Sequence, residues 1–143
     1  DFTGLSTASA VEMNVIPDDL TISDQEDPNI FDTFGSFINI TNNTSSFMVS
    51  FMYMPKEECM ALATTDWGTA SNGLVGAWVG NISGYDFRYY NEELNKLNSE
   101  EKSANYYHIA KVSRLPISPA NAAKICGVPG LNNFLGFGLK FSK

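Results

Sequence analysis

The sequence predicts an α+β domain, an antiparallel sheet carrying a few short helices. Three observations predict it. Apolar and small or polar residues alternate in short runs bounded by turn residues, which is the period of a half-buried strand. Two Pro-led, Ala-rich segments, one after Pro55 and one after Pro119, read as short helices. Each of these helices carries one of the chain's 2 cysteines, Cys59 and Cys126, and nearly half the chain lies between them.

The elements follow in order. Leu5, Ala8, Val11 and Val15 recur every three to four residues, which predicts a short helix that Pro17 ends. The polar segment 21–29, with Asp24, Glu26 and Asp27, reads as a loop. It is oxygen-rich, but it lacks the alternating ligand spacing of a calcium loop, and a solvated loop is the plainer reading. Residues 34–41 and 46–54 form two strands around the polar turn Asn42-Asn43-Thr44-Ser45. Pro55 begins the Cys59 helix, which runs to about Thr65, and Trp67-Gly68 closes it. Asn72-Gly73 is a turn pair before a strand at 74–79. Asp86-Phe87-Arg88-Tyr89-Tyr90 reads as another short strand. Residues 91–104 read as a polar surface helix capped by Asn91, or a loop. Residues 106–112 read as extended. Ser118 caps the Cys126 helix, Gly127 breaks it, and residues 134–141 are the last strand.

Length and composition bound the rest. A chain of 143 residues with 43% hydrophobic content is enough for one domain, residues 1–143, with a real core. The net charge of −7 and nine Lys/Arg scattered singly disfavour nucleic acid and anionic membrane as partners. No run of 18 apolar residues is present, so these residues hold no spanning helix. Two cysteines without CxxC or Cys/His spacing point to one disulfide rather than a metal site, with two buried thiols as the alternative. A bridge would place the protein outside a reducing compartment, with its export signal removed or lying outside these residues.

The order of pieces resembles the globular domain of type IVb pilins, the subunits of bacterial surface fibres. The matching residues are Leu5-Ser6-Thr7 through Val15-Ile16-Pro17-Asp18-Asp19-Leu20, then Phe34-Gly35-Ser36, then Pro55-Lys56-Glu57-Glu58-Cys59 with Leu62-Ala63 and Trp67-Gly68. The match ends with Pro119 to Cys126 and a final strand after Asn132-Asn133. Residues 91–111 match no part of the family pattern. The family's long N-terminal helix, apolar in its first half, is not among these residues.

The resemblance implies a structural subunit, the major one, anchored in the inner membrane through that helix before assembly and extracellular afterwards. Its partners would be identical subunits in a helical filament, and a receptor on a host or neighbouring cell. It also implies that one sheet face, with Phe37, Val49, Phe51, Phe137, Leu139 and Phe141 as candidates, packs on the helix. Residues 91–111 and the disulfide-bounded half would face outward, and Glu57 and Glu58 are candidates for a subunit boundary. A small secreted module binding a carbohydrate or receptor, and a type II secretion pseudopilin, are the alternatives.

Residues that could carry catalysis are few. His108 is the only histidine, and Tyr106, Tyr107 and Ile109 around it read as a packed strand. No Gly-x-Ser-x-Gly elbow, phosphate loop or HExxH is present. The acidic pairs at Asp18-Asp19, Glu57-Glu58, Glu92-Glu93 and Glu100-Glu101 are adjacent rather than opposed, which suits helix starts and solvated loops better than a glycosidase cleft. Acceptor patterns for glycosylation occur at Asn39, Asn42, Asn43 and Asn81. Trp67, Trp78, Tyr89 and Tyr90 could form a ligand platform, with core packing as the plainer reading. The expectation is a protein with no catalytic residues, no metal and no cofactor.

Overall fold

Strands β3 (Phe37–Asn42) and β4 (Ser46–Met54) form the antiparallel hairpin that their alternation predicts. The computed structural model describes residues 21–22, 30–31, 36–42, 44–83, 87–128 and 134–142. The helix expected at 5–15 and the Phe34-Gly35 pair lie outside them. Two short strands, β1 (Thr21–Ile22) and β2 (Ile30–Phe31), extend the hairpin on one side.

The remaining strands are β5 (Leu74–Asn81), β6 (Glu101–Ser103), β7 (Tyr107–Lys111) and β8 (Leu135–Ser142). All pairings are antiparallel, in the order β1-β2-β3-β4-β8-β5-β7-β6. The last strand of the chain therefore lies inside the sheet, between β4 and β5. With the helices described next, this is the α+β architecture the sequence predicts.

Three helices cover the sheet among the described residues. Helix α1 (Lys56–Thr64) starts after Pro55, and Thr65 ends it in an extended conformation. Helix α3 (Pro119–Cys126) has Ser118 as its N-cap, whose Oγ accepts from the Asn121 N–H at 3.2 Å. Both lie on one sheet face. There Met54, Cys59, Leu74, Val79, Ile125, Leu135 and Phe137 form the larger core cluster.

Helix α2 (Phe87–Lys96) lies on the opposite face, over Trp78, Tyr107 and Ile109. It corrects two expectations. Residues 87–90, the described part of the strand expected at 86–90, are helical, and the helix expected at 91–104 begins earlier and ends at Lys96, with β6 following it. The reason lies in spacing. Tyr90, Leu94 and Leu97 recur every three to four residues, and Tyr90 and Leu94 are fully buried. The aromatic run Phe87 to Tyr90 favours a strand locally, and burial of the helical stripe overrides it.

Two bulges reset which face a side chain meets. The register of β4 on β8 shifts between Met52 and Met54, where Tyr53 has φ 62°. Met54 thus turns onto the α1/α3 face and is fully buried, while Tyr53 is 54% exposed. A second shift between Leu74 and Gly76 puts Leu74 on that same face with Ala77 and Val79.

At the sheet centre Trp78 lies opposite Gly138. A Cβ on Gly138 would sit 2.1 Å from Trp78 Nε1, so the bare backbone there is what lets the indole lie against β8. Burying a side chain of this size contributes about 5 kcal/mol at the usual coefficient, as an upper bound.

Candidate functional site

Cys59 and Cys126 form a disulfide between α1 and α3, with Cα atoms 5.8 Å apart. Both cysteines are buried in the larger core cluster. The bridge closes a loop between residues 67 positions apart, which on the chain-entropy model stabilises the fold by about 4 kcal/mol. The alternative of two buried thiols is thereby settled.

Glu57 and Glu58 do not act as a pair. Glu57 is exposed in the first turn of α1, where a carboxylate favours the helix dipole. Glu58 is only 3% exposed, and its Oε2 accepts a hydrogen bond from the hydroxyl of the fully buried Ser36. The expectation that Glu58 marks a subunit boundary is therefore corrected. Helical geometry turns adjacent residues about 100° apart, so one of the pair points inward. Glu57 keeps its candidacy as a surface charge.

The candidate sheet face is also redrawn. Val49, Phe51, Phe137, Leu139 and Phe141 do share a face, because they oppose one another in the register of β4 and β8. Phe37 opposes Met52 and so belongs to the other face. Phe137 and Leu139 are buried beneath α1 and α3. Phe47, Val49, Phe51 and Phe141 are only partly buried and form an apolar strip toward the β3 side of that face. Phe47 and Phe141 stack with ring centroids 5.1 Å apart. Of residues 91–111, the stretch 98–103 is exposed, but Tyr107, His108, Ile109 and Ala110 are core. Only part of that region can therefore face outward.

His108 sits on the α1/α3 face opposite Val79 and is 2% exposed. Among the described residues its Nδ1 has no hydrogen-bond partner, and its Nε2 is 3.7 Å from a Glu101 carboxylate oxygen. Ser103 opposes His108 across β6 and β7, yet its hydroxyl accepts from Lys124 Nζ at 3.4 Å instead. Burial holds the His108 pKa below its usual value, against the pull of Glu101 and with help from Lys124. Ser103, the serine that the register sets against His108, is thus engaged with Lys124 rather than with the imidazole. Among the described residues, no three His, Cys, Asp or Glu side chains gather to hold a metal ion.

The aromatic residues pack. Trp78 and Tyr90 are fully buried, stacked at 4.8 Å. The Trp78 indole N–H donates to Asn91 Oδ1 at 2.8 Å, and the Tyr90 hydroxyl donates to the Asn81 carbonyl. Trp67 lies against Phe137 with centroids 6.0 Å apart, and its N–H donates to the Leu62 carbonyl at 2.8 Å. These side chains therefore serve as core.

One concavity of different character opens beside α2. A pocket of about 130 Å³ is lined by Thr41, Asn42, Ser46, Phe47 and Met48 from the hairpin, Lys140 from β8, and Asn91 and Asn95 from α2. Thr41, Met48 and Lys140 form one row across β3, β4 and β8, which makes the floor. Sequence reading missed this grouping, because its residues come from four separate elements and carry no motif.

Comparisons with protein-family models, with curated proteins and with solved structures each find no match to this chain.

Proposed function

We propose that this chain is the globular domain of a type IVb pilin, acting as the major structural subunit of a surface fibre that serves adhesion, aggregation or cell–cell contact. The observation that carries the reading is the order of the family-like segments, together with the bridge that joins two of them. Pro55 to Cys59 and Pro119 to Cys126 are the segments that resemble the family, and they are α1 and α3, linked by the disulfide.

The partly exposed strip of Phe47, Val49, Phe51 and Phe141 supports the same reading. A partly exposed apolar strip suits a covering partner. In this proposal the apolar N-terminal helix of a full-length subunit provides it. Subunits then meet head to tail, and heterologous contacts that do not close into a ring generate a helical filament. The extracellular location follows from the same proposal and accords with a structural disulfide.

The test is restoration of the full-length gene in a pilus-deficient host. The expected outcome is fibres on the cell surface. Glu57→Lys should lower fibre yield while the isolated domain keeps its unfolding midpoint. A full-length gene encoding no apolar N-terminal helix refutes the pilin reading. The small secreted binding module is the second reading, and the polar pocket beside α2 is the observation that favours it.

A further inference from the structure

We propose that the pocket between α2 and the Thr41–Met48–Lys140 row is a binding site for the carboxylate of an acidic sugar residue. The inference stands apart from the fibre proposal and does not require it.

Three side chains of the pocket, Asn91, Asn95 and Lys140, have donors to offer. Indole N–H is donor-only, so the amide oxygen of Asn91 must face Trp78, 2.8 Å away. The Asn91 NH2 is then the end left for the pocket. Lys140 Nζ, also donor-only, bonds the amide oxygen of Asn95. That orients the Asn95 amide in the same sense. Asn91 and Asn95 stand one helical turn apart, on one face of α2. Lys140, Asn91 and Asn95 thus line the same small space, with both amide oxygens already engaged.

Among the described residues, no carboxylate lines the pocket and Lys140 has no ion pair. It is half-buried, and burial together with nearby Lys111 lowers its pKa from the ordinary lysine value. An ammonium in this position gains from an incoming anion, because a charge-assisted hydrogen bond replaces part of the hydration it lost. The net charge of −7 opposes anions at long range, so binding must come from contacts inside the pocket.

Size and lining select the ligand class. The volume equals about four water molecules at ~30 Å³ each, room for a carboxylate and the ring atoms next to it. The rest of the ring would lie at the mouth. The Thr41 hydroxyl suits a polyhydroxylated ligand, since it can both donate and accept. Apolar surface, which a peptide side chain would seek, is limited to Met48 and Phe47.

The experiment is an NMR titration of the ¹⁵N-labelled chain, disulfide intact, with sodium glucuronate and with N-acetylneuraminate. Glucose is the neutral control, and a blocked aspartate is the peptide control. The expected result is that millimolar acidic sugar shifts the side-chain NH2 signals of Asn91 and Asn95 while glucose leaves them in place. Lys140→Gln, which can still bond Asn95, should weaken binding at least roughly tenfold. Asn95→Asp, which adds a carboxylate to the wall, should abolish it. The proposal is overturned if neither acidic sugar moves these signals, or if glucose moves them equally. Unchanged binding to Lys140→Gln overturns it too, and an equal response to blocked aspartate overturns the sugar in favour of a protein partner.

Discussion

Gly138→Ala is the sharpest test of the sheet centre. The added Cβ would lie 2.1 Å from Trp78 Nε1, 2.4 Å from Cε2 and 2.9 Å from Cδ1. Ordinary contact between such atoms begins near ~3.5 Å, so three ring atoms are encroached upon together. The indole has little room to retreat. Its N–H is held by Asn91, its face stacks on Tyr90, and the Tyr90 ring would itself be only 2.6 Å from a Cβ on Gly80. Overpacking a tight core costs about 1–3 kcal/mol. Losing the indole–Asn91 bond adds about 1 kcal/mol. Replacing a strand glycine by alanine returns about 0.5 kcal/mol. The net is a loss of roughly 1.5–3.5 kcal/mol, or about 5–12 °C in Tm for a chain of this length.

The assay is urea unfolding of the oxidised protein, followed by both tryptophan fluorescence and circular dichroism so that two-state behaviour is checked. A loss smaller than about 0.5 kcal/mol refutes the packing argument, because that is the range of an indifferent surface change. A second variant makes the cause specific. In a Trp78→Leu background the ring is gone, so Gly138→Ala should cost less than half as much, giving a coupling of roughly 1–3 kcal/mol. Additive costs in that cycle would mean that the methyl group strains something other than the indole.

Three further outcomes follow from the structure. Replacing both Cys59 and Cys126 by Ala should lower the unfolding free energy by about 4 kcal/mol, and mass spectrometry of the native protein should show it two hydrogens lighter than its reduced form; free thiols in an exported sample contradict the bridge. Glu58→Lys should destabilise by several kcal/mol, because it buries a cation opposite the Ser36 hydroxyl, whereas Glu57→Lys should fall within about 0.5 kcal/mol of the parent; equal effects of the two would refute the burial asymmetry. The His108 pKa is lowered in the folded state, so below its unfolded value of about 6.5 the unfolded chain binds more protons and stability falls as pH drops, by at most about 1.4 kcal/mol per pH unit. His108→Leu should flatten the urea midpoint between about pH 6.5 and 5, and an unchanged slope would place the titration elsewhere.

Much of this fold was legible because its signals are local. The helix of Pro55 to Cys59, the Ser118 cap and the strand before Ser142 each announce themselves within ten residues or so. What stayed hidden depends on partners distant in sequence. Tyr53 and the Leu74–Gly76 shift break the period of two, so strict alternation assigns Met54 and Leu74 to the wrong face. Residues 87–90 carry strand-forming aromatics, and only the buried stripe through Tyr90 and Leu94 turns them into helix. Glu58 looks like a surface charge beside Glu57 until Ser36, 22 residues earlier, is placed against it. The pocket at Lys140 was invisible for the same reason: the hydrogen bond from Lys140 to Asn95 spans 45 residues.

The position of β8 explains why the disulfide belongs where it does. Without β8, the sheet falls into two parts. One is the meander β1 to β4, ending in an open edge at β4, and the other is β5 with β7 and β6, open at β5. Only β8 pairs with both edges, and it is the last strand in the chain. A non-local closure of this kind carries a loop-entropy cost before its contacts form. Cys59 lies just after β4, and Cys126 lies shortly before β8. Their bond sets α3 beside α1, so the start of β8 is held near the end of β4, where Met54 pairs with Leu135. The bridge thus shortens the closure on which the two halves of the sheet depend. Its contribution is to topology as much as to the core, and a metal or a salt bridge at the same place would have to satisfy that same geometry among fully buried, apolar neighbours.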